Sequence, residues 1–317
     1  MDVYITNDVE VWCNGWHDID GEFPSAFRKY IYGETDKGHY GLPFQLEVLN
    51  KYKLKSVFFV EPLFAAHFGE AYLKEVIALI QNAGQEVQLH LHPEWTDEAL
   101  EPLLPNVTEK RQNLYMYSLN EQRTLIAKGK QMLLDNGCKQ VSAFRAGSFA
   151  ANNDTLLALR DNHILIDSSY NETYRDCHIC QERPPVHFSN IEGLAELPMT
   201  TYQDYPGHTR HLQLTACSFG EIKRVLLDAE RKGWQAVVLL MHSFECLTSD
   251  KLLPDTLVID RFEKLCQFLA NNRERFTTKG FNATRMDYHI QPKEPLVSNL
   301  FEFSMRIAQQ AYRRLKY

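Results

Sequence analysis

Several things are scarce in this chain, and each scarcity narrows what it can be. Basic residues do not exceed acidic ones: 34 Lys and Arg stand against 41 Asp and Glu, a formal net charge of -7. Nucleic-acid-binding faces are built from an excess of Lys and Arg, so no nucleic-acid partner is expected. No apolar run reaches the roughly 18 residues of a membrane-spanning helix, so none is expected to cross a bilayer. The opening residues MDVYITNDVEVW carry an acid at position 2 and no basic segment ahead of an apolar one. A secretory leader has both, so the expected location is cytoplasmic. Paired cysteines are also lacking. The seven present, at 13, 138, 177, 180, 217, 246 and 266, are odd in number and mostly single within apolar segments, as reduced core thiols are. Cys177 and Cys180 in CHIC have the spacing of zinc ligands, but no second pair accompanies them, and two free thiols are expected. There is no internal repeat.

What is present is a chain of 317 residues, 44% hydrophobic, enough for a full-sized core. Short apolar or β-branched runs alternate with longer segments of helical period, the pattern of βαβ units in a parallel sheet or barrel. Seven candidate strands lie at 3 to 8, 56 to 62, 86 to 93, 141 to 149, 164 to 170, 194 to 200 and 236 to 244. Helical segments such as YLKEVIALIQNAG and SFGEIKRVLLDAERKG connect them, several ending at Gly84, Gly137 or Gly233, where a left-handed cap suits glycine. Asn153 or Asp154, and Ser218, stand where N-caps belong. Residues 11 to 40 and 171 to 193 break the rhythm and read as long loops over one end of the barrel. A barrel over 1 to 290 is then followed at 291 to 317 by an amphipathic helix with a basic end. That helix either packs on the barrel or lays Arg306, Arg313, Arg314 and Lys316 on anionic head groups as a peripheral membrane contact.

Four strand ends carry groups that a buried strand avoids, because an unpaired buried charge costs several kcal/mol. In TNDVE, alternation puts Asp8 and Glu10 on one face. In QLHLHPEW, His90 and His92 share a face in the same way, and imidazoles beside a carboxylate are the usual shell of zinc or a related divalent ion. Arg145 in AFRAGSF brings a permanent cation to the end of an apolar strand, where it needs an anion partner. His242 closes the most hydrophobic strand, VVLLMHSF. Active sites of βα barrels form at strand C-termini, so the four should meet at one mouth and supply a metal, a base, a cation and an acid.

In order and spacing these motifs resemble the polysaccharide deacetylase family of metal-dependent carbohydrate esterases, over roughly residues 2 to 270. TNDVE is similar to its first motif, GQEVQLHLHPEW to its histidine motif, FRAGSF to its arginine motif, HILIDSSY with ELPMTT to the following strand region, and LLMHS to its closing Leu-X-His-Ser motif. The resemblance implies an α/β fold, a distorted (β/α)7 barrel, and a hydrolase that removes an N-acyl group from a sugar. It implies Asp8 as general base, Glu10, His90 and His92 as metal ligands, Arg145 as the tether of the base and His242 as general acid. The family's ligand histidines are four apart, so the third ligand here is His92 or Glu94. One divalent ion is implied, zinc first, with cobalt, nickel or iron accepting the same donors. Aromatic rings stack on sugar faces, and Trp12, Trp16, Tyr40, Trp95 and Tyr170 are candidate platforms, with Asp167 a candidate hydrogen-bond partner for a substrate hydroxyl. The expected substrate is an N-acylated sugar, nucleotide sugar or lipid-linked glycan of intracellular polysaccharide or O-antigen assembly. A non-sugar amidohydrolase and a carbohydrate-binding protein with a degenerate site are the rival readings.

Overall fold

A computed structural model describes residues 1 to 105, 107, 109 to 179, 189 to 191, 193 to 284 and 294 to 316. Cys180, half of the CHIC pair, and much of the 171 to 193 segment lie outside the described residues. Each of the seven expected strands has a counterpart: β1 (Asp2–Val9), β2 (Val57–Val60), β3 (Glu86–Leu91), β4 (Ala143–Ala146), β5 (Ile166–Asp167), β6 (Leu194–Glu196) and β7 (Ala236–His242). The principal helices are α1 (Ile19–Phe27), α2 (Leu42–Lys51), α3 (Glu70–Asn82), α4 (Leu119–Asp135), α5 (Asn153–Asp161), α6 (Phe219–Arg231), α7 (Thr256–Asn271) and α8 (Leu300–Lys316). The chain divides into two compact units, one of residues Met1–Ser56, Thr200–Lys279 and Pro292–Tyr317, the other of Val57–Met199 and Gly280–Gln291.

In the first unit β1 pairs in parallel with β7, from Asp2 opposite Ala236 to Asp8 opposite His242, and with the short strand Thr277–Thr278. Val3, Tyr4 and Ile5 and the run Val237 to Met241 are all buried, which is why both strands read as unbroken apolar stretches: a parallel strand is covered on both faces. Ser218 caps α6 as expected, in a reciprocal box with Glu221 three residues on. The 11 to 40 segment is not the expected loop. Asp18 caps α1, whose Ile19, Phe23, Ala26 and Phe27 are buried at helical spacing; a π-helical turn follows over Arg28–Tyr32 and ends at Gly33. Pro24 inside α1 and the charges around it hide that period in the sequence.

The C-terminal helix α8 belongs to this first unit. Its Arg306 is buried and donates from Nε to Glu221 at 2.9 Å and from Nη2 to Asp204 at 2.6 Å. Arg313 donates to Asp255 at 2.6 Å, and Lys316 to Thr256 at 3.0 Å. Arg306 and Arg313 are therefore turned into the protein, a correction to the reading in which all four cations face head groups. No helix among the described residues is long and apolar enough to cross a membrane.

In the second unit β2, β3, β4, β5 and β6 run parallel in that order, and Ser189–Ile191 adds an antiparallel edge on β6. The sixth expected strand stops early: β6 ends at Glu196, two residues before Pro198, which has no amide to donate to a ladder. The N-cap of α5 is Asn152 rather than Asn153 or Asp154, boxed with Thr155. Gly84 and Gly137, which follow α3 and α4, take positive φ as anticipated.

Candidate active site

The first unit gathers one half of the expected chemistry at the ends of β1 and β7. Asp8 and Glu10 are both buried, and the Asp8 and His242 backbones are in register. His242 closes β7, and the turn after it is braced from α2: the buried Gln45 amide donates to the carbonyls of His242 and Ser243 at 2.9 and 3.1 Å and itself accepts from Asn7. The His242 Nδ1 lies 2.9 Å from Glu245 Oε1. Glu245 is buried and also accepts from Gln213 Nε2 at 2.5 Å and from the Thr215 amide at 3.1 Å, so its carboxylate is fixed before the imidazole meets it. Burial alone would favour a neutral imidazole, but the Glu245 hydrogen bond and charge, helped by Glu10 and Asp8, override it and push His242 up to about 9. At neutral pH His242 is a charged acid that keeps Nδ1 on Glu245 and has Nε2–H to give.

The second unit gathers the rest. His90 and Arg145 are in register on β3 and β4, and the His90 Nδ1 donates to the Arg145 carbonyl at 2.8 Å. That bond leaves Nε2 as the nitrogen with a lone pair, the arrangement in which a metal-binding histidine is held by its other nitrogen. The His92 ring stands nearly perpendicular to that of His90, centroids 4.8 Å apart, with its Nδ1 3.4 Å from Glu94 Oε2. Gly147 makes room for it, since a Cβ at that position would come within 2.6 Å of the His92 ring. Glu61, immediately after β2, is fully buried and accepts from the Leu63 and Phe64 amides at 2.7 and 3.3 Å. Burial pushes its carboxyl up to about 8, against the pull of those amides and of His92. Arg145 is wholly buried, donates from Nε and Nη2 to the Ser168 carbonyl and hydroxyl at 3.2 and 3.1 Å, and lies 4.4 Å from the Phe59 ring centroid. Such a guanidinium is locked in direction as well as charge.

Not every candidate reaches a surface where a sugar could meet it. Trp95 is 1% exposed and packs edge-on against Phe68, centroids 5.9 Å apart, which makes it core rather than a stacking platform. Asp167 is also fully buried, accepting from Ser169 Oγ at 2.6 Å and facing Glu196 across the β5–β6 register. Burial raises both carboxyls, and for Glu196 the charge of Asp167 adds to it, so the pair holds a proton at pH values where exposed acids have none. Asp167 is thus turned inward, away from any substrate hydroxyl. Tyr170 and Tyr40 are half-buried; the Tyr170 amide donates to Glu196 at 3.1 Å, and Tyr40 packs on Phe44. Trp12 and Trp16, both half-buried, form an edge-to-face pair with centroids 6.2 Å apart. Glu245, Glu61, Gln45 and Glu196 were not singled out in the sequence. Glu196 opens the ELPMTT stretch, and Glu245 stands three residues past the histidine of LLMHS.

No family model matches the chain, and no curated relative matches it. Solved structures do. A provisionally named polysaccharide deacetylase from Mycobacterium smegmatis aligns with a TM-score of 0.58 at 18% identity, over 89% of this chain and 87% of its own. The two share a fold. It is the α/β class expected from the strand and helix alternation, and at this identity the likeness speaks to fold. A family 4 carbohydrate esterase from Streptomyces lividans in complex with acetate aligns more loosely, TM-score 0.45 and 12% identity over 88% of this chain and 91% of its own. So does a peptidoglycan deacetylase from Bacillus subtilis, TM-score 0.37 and 12% identity over 99% and 95%. Glu10 in the first unit and His90 and His92 in the second are each buried, and one carboxylate with two imidazoles is a donor type that suits a divalent metal ion.

Proposed function

We propose that the chain is a metal-dependent hydrolase that removes an N-acyl group, acetyl or formyl, from a sugar. The observation that carries this reading is the pair of buried histidines in the second unit, His90, committed through Nδ1 so that Nε2 presents the lone pair, and His92 beside it; Glu10 is proposed as their carboxylate partner. Zinc is the ion assigned, because nitrogen and carboxylate donors are its usual shell. When bound, such an ion polarises the acyl carbonyl and lowers the pKa of a water. His92 is assigned as the third ligand and Glu94, 3.4 Å from its Nδ1, as the group that orients it.

Asp8 is the base that takes the proton from the attacking water. Arg145, fixed by Ser168 and Phe59, is proposed as the cation that orients the base. His242, charged below about pH 9 and anchored on Glu245, gives its Nε2 proton to the departing amine, without which an amide has a poor leaving group. Trp12 and Tyr170 are proposed as sugar contacts. The fold neighbour named for polysaccharide deacetylation supports a glycan substrate. The specific substrate proposed is a nucleotide-sugar or lipid-linked intermediate of intracellular surface-polysaccharide or O-antigen assembly.

The test combines metal analysis of the protein after mild purification with acetate and formate release from N-acylated sugars. Asp8→Asn should retain metal and abolish turnover. Unaltered activity in that variant overturns the role of Asp8. A protein that binds sugars but holds no metal and releases no acid is a binding protein, and release confined to non-sugar amides moves the reading to a different amidohydrolase.

A further inference from the structure

Two abutting cavities in the first unit lead away from His242, beyond the chemistry described above. One, about 400 Å³, is bordered by His242, Phe244, Thr248, Ser249, Lys251 and Arg313, among others. The other, about 390 Å³, shares Thr248, Ser249 and Arg313 with the first and adds Arg314 from the end of α8. Each is within the usual size of a small-ligand pocket, about 300 to 1,000 Å³. Together they make a track that begins at the catalytic acid and runs to the last turn of α8.

The charges along this track are unevenly committed. Its acids are occupied: Asp250 accepts from Thr248 Oγ at 2.6 Å and the Leu252 amide at 3.0 Å, Asp255 from two helix-capping amides and Arg313, and Glu245 from His242. Two of its cations are not. The Lys251 ammonium sits 5.1 and 5.0 Å from the ring centroids of Tyr30 and Phe244, with one long hydrogen bond, 3.4 Å, to the Ser249 carbonyl. No carboxylate pairs with it among the described residues. Burial, with the charge of Lys29 behind it, holds its pKa below that of an ordinary lysine, although the charges of Glu10 and Asp250 pull the other way. Its backbone is at φ +58°, a left-handed conformation that lysine rarely adopts. Arg314 is exposed and has no hydrogen-bond or ion-pair partner among the described residues.

We propose that this track holds an acidic glycan, with a carboxylate or phosphate on the sugar next to His242 meeting Lys251, the ring of that sugar lying on Phe244, and a further anionic group meeting Arg314. The proposal rests on the hydrolase reading for the position of the reacting sugar, but the binding it requires is measurable without turnover.

The experiment is calorimetric titration of the whole protein with a hyaluronan tetrasaccharide, which alternates N-acetylglucosamine and glucuronate, against chitotetraose as the neutral partner. Glucuronate and glucose 1-phosphate serve as single-sugar arms that separate carboxylate from phosphate. The acidic oligosaccharide should bind at least tenfold more tightly than the neutral one. Lys251→Met should remove that advantage without weakening the neutral ligand, and Lys251→Arg should keep it. Lys251→Gly, whose backbone accepts the left-handed conformation without strain and whose fold is checked by circular dichroism, should lose the acidic preference too. Arg314→Gln should weaken the tetrasaccharide and spare the single sugars. Equal affinity for acidic and neutral ligands, or an unchanged preference in Lys251→Gly, overturns the proposal and leaves the hydrolase reading standing if acyl release from neutral sugars is found. Acidic preference with no acyl release from any N-acylated sugar removes the hydrolase reading and leaves the track.

Discussion

Exchanging Glu245 for Gln removes the charge that holds the His242 proton while keeping the shape of the side chain. The Glu245 hydrogen bond and charge are the two largest effects that raise His242, working against burial, from the ordinary 6.5 up to about 9. That difference corresponds to about 3 kcal/mol of preference for the imidazolium. At pH 7.5 the parent protein keeps nearly all of its His242 protonated, whereas an imidazole at or below 6.5 is protonated in about one molecule in ten. If His242 is the acid, kcat of E245Q at pH 7.5 should fall about tenfold, and the alkaline limb of its pH profile should move from near 9 to 6.5 or below. A Gln carbonyl can still accept from Thr215, so the fold should persist. Stability should follow the same group. A histidine raised in the folded state contributes fully below its unfolded pKa, near 6.5, and loses that contribution as pH rises through about 9. The gap between parent and E245Q in urea denaturation should therefore be widest near pH 6 and close above pH 9. An NMR titration of the His242 ring in metal-free protein gives the shift directly. An alkaline limb and ring titration that stay where they were in E245Q would refute the argument.

Three further outcomes are expected. Gly147→Ala places a methyl within 2.6 Å of the His92 ring and should lower metal affinity by about tenfold to a hundredfold with circular dichroism unchanged; full metal retention would show that His92 is not a ligand. Arg306→Met leaves buried Asp204 and Glu221 without the cation they share and should cost about 3 kcal/mol in urea denaturation, a loss under about 1 kcal/mol being too small for this account. Burial, and for Glu196 the neighbouring charge, raises the Asp167 and Glu196 carboxyls, so the folded state binds more protons than the unfolded one and stability falls as pH rises above the ordinary carboxylate range. Asp167→Asn should flatten that fall between pH 5 and 8, and a parent protein whose stability rises across the same interval would contradict the shared proton.

The seven strands were legible because parallel strands buried on both faces leave unbroken runs such as AVVLLMH, which few other contexts tolerate. The polar ends of those runs stood out for the same reason. What the sequence hid was direction and depth. Asp167 and Trp95 look like ligand contacts by type, yet register and packing turn both inward. Glu245 sits among loop residues, where a carboxylate is commonplace until the backbone folds it against His242, and Glu61 falls at the end of an expected strand that stops at Val60. The helix at Ile19–Phe27 was concealed by a proline that a well-packed apolar face overrides. Asn152, one residue before the expected cap, falls within the error that any reading of helix ends carries.

The arginine that ties α8 to Asp204 and Glu221 also has a bearing on how the protein is made. The strand that bears Asp8 is made long before its ladder partner at 236 to 242, and the clamp that completes the same unit lies near 306. Between the two strands, the whole of Val57–Met199 emerges and can fold on its own contacts. The slow, sequence-distant pairing comes last. A nascent chain arrested before α6 should therefore lack the β1–β7 pairing, and the half of the chemistry that depends on Asp8 and His242 should appear only once residues 236 to 306 have been made.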